Sequence, residues 1–96
     1  MMIVYLGTDF ATAHKILNGH WSRTPTFLYR SIDHAARKAR KNTEDGHMPV
    51  VIELHYNNPR KLQYNPHKCG YHTSLKPQRA RIKWIGVNGG FITFNY

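Results

Sequence analysis

Acidic residues and cysteine are scarce in this 96-residue sequence. Five Asp and Glu stand against fourteen Lys and Arg, a formal charge of +9 at pH 7. Such a surplus on a small surface favours an anionic partner: nucleic acid, a nucleotide or an acidic protein. The single cysteine, Cys69, excludes an intrachain disulfide and fits a reducing compartment, so a cytoplasmic location is expected. No run of about 18 apolar residues exists, which argues against a transmembrane helix and a membrane partner. The N-terminus lacks the basic segment, apolar stretch and cleavage site of a secretory signal, and none is expected. Internal repeats and low-complexity segments are missing as well. The length allows one compact domain, residues 1–96, with one modest core.

The chain is organised around Ile3 to Gly19. Ile3, Val4, Tyr5 and Leu6 read as a central strand buried on both sides. Gly7 is expected to break that strand, with Thr8 or Asp9 capping the helix that follows. Phe10, Ala13, Ile16 and Leu17 recur at helical spacing, and Asn18-Gly19 is a left-handed stop. A Gly-Thr turn feeding a helix presents backbone N–H groups where phosphate is favoured, so Gly7 and Thr8 are candidate nucleotide contacts, with a purely structural turn ranked first. Trp21 closes over the core edge or, beside Arg23, stacks on a base, with the lid reading ranked first.

A second strand is expected over residues 26–29 and a second helix from the Ser31 N-cap, with Asp33 at the positive end of its dipole. Ile32, Ala35, Ala36 and Ala39 make a narrow apolar stripe suited to close approach to a sheet. Arg37, Lys38, Arg40 and Lys41 crowd the end of that helix. Dipole compensation needs only one or two of them, so the group is read as part of an electrostatic footprint. From Pro49 a third strand alternates Val50, Ile52, Leu54 and Tyr56 against Val51, Glu53 and His55. A short edge strand is expected over 61–65 and an irregular stretch over 66–77. Arg79 to Val87 alternates Ala80, Ile82 and Trp84 inward with Arg79, Arg81 and Lys83 outward. Asn88-Gly89 turns it back into a final strand over 90–96. The basic row Arg79, Arg81 and Lys83 joins the expected anion-binding set; a plain solvent-facing side is the alternative.

The element order implies an α+β fold, with two helices packed on a mainly antiparallel sheet of about five to six strands. Metal chemistry is not expected. His67, Cys69 and His72, even with His47, do not follow zinc-ligand spacing. No Ser/His/Asp or Cys/His arrangement emerges from the seven histidines.

Tyr5-Leu6-Gly7-Thr8, the helix from Ala13 to Gly19, and Phe27-Leu28-Tyr29-Arg30-Ser31-Ile32-Asp33-His34-Ala35-Ala36 together resemble the ADP-ribosyltransferase fold. The likeness is to short members such as rifampin ADP-ribosyltransferase and the RNA 2′-phosphotransferases, and it covers residues 3–56. It implies an NAD cleft in which Gly7, Thr8, Phe27 and Tyr29 contact the nucleotide. The departures are specific. Leu6 stands where the family carries a hydrogen-bonding His or Arg. The late strand has no acid, Gln78 being the nearest polar residue, and glutamine supplies no charge to an oxocarbenium-like centre.

Three function classes follow. The first is a small basic binding protein on a degenerate transferase scaffold, holding a nucleotide, a nucleic acid or an acidic host protein, as a phage or mobile-element accessory factor would. The second is an active NAD-dependent transferase with a non-standard set drawn from Tyr29, His14, His20 and Gln78. The third is a plain nucleic-acid-binding domain.

Overall fold

The computed structural model describes residues 1–21, 27–43, 47–87 and 90–93. The apolar run at the start forms β1 (Met2–Asp9), and α1 (Phe10–Leu17) follows directly, capped by the Asp9 carboxylate accepting from Thr12 N at 2.7 Å. Asn18 ends that helix and Gly19 takes a positive φ of 89°, the left-handed stop expected there. Next come β2 (Leu28–Tyr29), α2 (Ile32–Asn42) behind its Ser31 cap, and β3 (Pro49–Tyr56). A 3-10 turn (Pro59–Lys61) leads to β4 (Gln63–Asn65), β5 (Gly70–His72), β6 (Arg79–Val87) and β7 (Gly90–Thr93).

These strands form one seven-stranded sheet in the order β4-β5-β2-β1-β3-β6-β7, antiparallel at every pairing. The α+β class and the central place of the first strand are as expected. The strand count exceeds the expected five to six because Gly70–His72, inside the stretch expected to be irregular, pairs with both β4 and β2. The turn at 88–89, the loop residues 22–26 and the polar segment 44–46 lie outside the described residues, as does the chain after Thr93.

Alternation along the strands divides the core in two. Val4, Leu6, Leu28, Val50, Ile52, Leu54 and Tyr56 pack on one side of the sheet with Ala13 and Ile16 of α1. Tyr29, Val51 and Trp84 pack on the other with Ala35 of α2, and Tyr5, Ile32 and Ala36 border them. The two helices therefore cover opposite faces of the sheet. Each fully buried Leu or Ile in the larger cluster contributes about 1.5–3 kcal/mol, so the α1 face supplies most of the hydrophobic stabilisation. Helix α1 is thinner cover than its pattern implies: Phe10 and Leu17 are 41% and 39% exposed, leaving Ala13 and Ile16 to hold it.

Two departures from the expected pattern have local causes. The strand does not break at Gly7: Gly7 and Thr8 pair with Val51 and Val50, and β1 continues to Asp9. Glycine is required there for a different reason, because a Cβ would overlap the Ala35 carbonyl oxygen and lie 2.8 Å from Ala39 N. The alanine stripe of α2 thus rests directly on the β1 backbone. The second departure is in β6, where Val51 faces Trp84 but Ile52 faces Ile82. This bulge adds a residue to β6 and moves Trp84 off the Ala80/Ile82 side onto the α2 side.

Candidate functional site

The α2 face carries the chain's concentration of polar chemistry. In register across it stand Tyr29, Tyr5, Glu53 and Arg81, contributed by β2, β1, β3 and β6. Period-two alternation puts Glu53 and His55 on one side of β3, and antiparallel pairing sets them opposite Arg81 and Arg79. His55 Nε2 lies 3.0 Å from Glu53 Oε2, and Arg81 Nε donates to the same oxygen. Glu53 is 4% exposed. Burial alone would push its carboxyl up, but the hydrogen bonds and positive charge of His55 and Arg81 outweigh that and hold it below the ordinary glutamate value. Tyr5 responds in the opposite direction: burial first, then the Glu53 charge and hydrogen bonding, raise its phenol.

Beside this cluster, Tyr29 stacks on His34 of α2 with ring centroids 4.0 Å apart. Burial and the charges of Arg37 and Lys38 lower the His34 pKa, keeping the imidazole neutral in the stack. Burial also raises the Tyr29 phenol, with a smaller contribution from Cys69. Phe27 meets His72 edge-on at 5.9 Å. Across the helix, the Arg40 guanidinium sits 5.1 Å over the Trp84 ring, a contact that exists only because the bulge turned Trp84 to this side.

The candidate anion-binding residues gather on this side in part. Arg37, Arg40 and Lys41 are exposed on α2, Lys38 is half-buried, and Arg79 is exposed at the start of β6. Arg81 is committed to Glu53, and Lys83 sits half-buried at the bulge. The acids are withdrawn at the same time. Of Asp9, Asp33 and Glu53, the carboxylates among the described residues, Asp9 is a helix cap and Glu53 is buried, leaving Asp33 exposed.

The candidate nucleotide contacts do not converge as expected. Gly7 and Thr8 form no turn: both are buried in β1, on its opposite faces. Phe27 and Tyr29 do share the α2 side. Leu6 is fully buried in the α1-side core. Nor are the candidate catalytic groups brought together. Tyr29 is under α2, while His14 and His20 are exposed on and just beyond α1. Gln78 ties the loop before β6 to the end of β3, its Oε1 accepting from Asn57 N at 2.7 Å and its N–H donating to the His55 carbonyl.

Among the described residues, no three His, Cys, Asp or Glu side chains are grouped to hold a metal. No described helix is long and apolar enough to cross a membrane. The Glu53–His55–Arg81 cluster is what sequence reasoning missed. The signal was present in the shared parity of Glu53 and His55, but the β3–β6 register that supplies Arg81 is not written in either strand. No protein-family model, curated protein or solved structure matches this chain.

Proposed function

We propose that this chain is a small basic binding protein for a polyanion, with nucleic-acid backbone as the first candidate, held on the α2 side of the sheet. One observation carries the reading: the basic end of α2 and Arg79 of β6 lie over the same sheet face, while the neighbouring carboxylate, Glu53, is buried and neutralised. Phosphates approaching this side meet Arg37, Lys41 and Arg79 with Asp33 the exposed acid among the described residues. The neutral Tyr29–His34 stack adds an aromatic edge next to those charges.

The resemblance to ADP-ribosyltransferases enters this proposal as a scaffold without its reactive groups. A core leucine at position 6 and an uncharged residue at position 78 support binding over transfer, and NAD remains an anionic ligand to be tried alongside nucleic acid. The test uses Arg37 and Lys41, which are exposed, and leaves Arg40 and Arg81 alone because Trp84 and Glu53 engage them. Binding to a short single strand and a short duplex is measured across a salt series. Each phosphate contact removed lowers the salt slope by roughly one, so an Arg37→Ala/Lys41→Ala pair is expected to lower it by about two. Binding absent at low salt, or a slope unchanged in the pair, overturns the proposal.

A further inference from the structure

A cleft of about 180 Å³ opens on the other side of the sheet, between the end of α1 and the segment leading into β6. Its apolar walls include Ile16, Leu17 and Pro77. Among the described residues that line it, Lys76, Arg79 and Trp21 carry side-chain donors and none is acidic. The Gln78 carboxamide, also in the lining, has its oxygen occupied by Asn57 N and keeps its NH₂ as a donor.

Trp21 packs half-buried against the α1-side core, as a lid would. Packing does not account for its indole nitrogen, which is buried and finds no hydrogen-bond partner among the described residues. A buried donor left unsatisfied costs about 1–3 kcal/mol, so an acceptor supplied by a ligand would be favoured there. Lys76 is held close by: a Cβ on Gly19 would lie 3.2 Å from its Nζ. That position suits the negative end of α1, which explains the lysine but leaves the indole without an acceptor.

We infer that this cleft binds a small organic oxyanion, a single apolar ring or chain bearing a phosphate ester or carboxylate, with the head group between Lys76 and the Trp21 indole. The volume sets the size. It falls below the ~300–1,000 Å³ of drug-sized sites, which leaves room for one ring and excludes a dinucleotide. The site lies on the α1 side, and Arg79, which borders both, is the one named residue it shares with the polyanion surface; Lys76 and Trp21 belong to the cleft alone.

The experiment is a titration of ¹⁵N-labelled protein followed at the Trp21 indole resonance, assigned with a Trp21→Phe variant. The probes are phenyl phosphate, benzoate, inorganic phosphate and phenol, at millimolar concentrations. Phenyl phosphate or benzoate is expected to shift the Trp21 indole saturably, and whichever does so assigns the head group. Inorganic phosphate and phenol are expected to act far more weakly. Lys76 is exposed, so Lys76→Glu should fold; it is expected to weaken binding about tenfold or more, with Lys76→Arg retaining it. No saturable shift with either organic anion overturns the inference. So does an equal response to phenol, or a response unchanged in Lys76→Glu.

Discussion

Replacing Gly7 by alanine distinguishes a backbone turn from a packing contact at that position. In a turn beside a helix N-terminus, a methyl group would point into solvent and cost little. In the folded chain the methyl would overlap the Ala35 carbonyl oxygen, with Ala39 N at 2.8 Å and the Ala35 carbonyl carbon at 3.0 Å. All three are helix backbone, so no rotamer change relieves them. Either α2 lifts from β1, opening the Ala35 and Ala39 contacts, or the central strand bends. Overpacking typically costs 1–3 kcal/mol, and a clash against backbone on both central elements places this case near about 3 kcal/mol. For a domain of this size that corresponds to a drop in melting temperature of roughly 12–24 °C. Urea denaturation and thermal unfolding of Gly7→Ala measure it directly. A loss under about 0.5 kcal/mol would refute the close packing of α2 on β1. It would return Gly7 to the surface, where a phosphate contact becomes physical again.

Falling pH should lower the stability of the fold in two phases. His34 has a folded-state pKa below its ordinary 6.5, so the stability from its neutral stack is complete above that value and fades as pH falls through the lowered pKa. Glu53 sits below its ordinary 4.5, so its contribution is complete above that value and is lost at lower pH still. Stability measured against pH should lose its upper phase in His34→Phe and its lower phase in Glu53→Gln; an unchanged profile in both contradicts the assignment. Glu53→Leu strands Arg81 and His55 and is expected to cost about 3 kcal/mol, the low end for a broken buried pair because Arg81 is partly exposed. Tyr56→Phe removes the 2.9 Å hydrogen bond from its hydroxyl to the Leu75 carbonyl, and chemical denaturation should register about 0.5–1.5 kcal/mol. Trp84→Ala empties the α2-side cluster and frees Arg40, with an expected loss of about 3–5 kcal/mol by the same measurement.

Local chemistry in the sequence determined much of this protein. The caps at Asp9 and Ser31, the stop at Gly19, the alanine stripe of α2 and the alternation of β3 each depend on residues within a few positions of one another. So does the charge surplus, which is a property of composition. Contacts between distant segments were decided only when the sheet assembled. Gly7 reads locally as a break, yet the helix more than 25 residues later packs its backbone directly on it. Trp84 alternates inward with Ala80 and Ile82 until a bulge against Val51 and Ile52 reverses it. Arg81 reads as one more surface cation, and the register of β3 against β6 commits it to Glu53. Two-residue parity tells which side of a strand a residue takes, but a register shift of one residue reverses it, and that shift is set by the partner strand. Local sequence thereby specified most of the elements, and the tertiary pairing added β5, reversed Trp84 and selected which charges remain for a ligand.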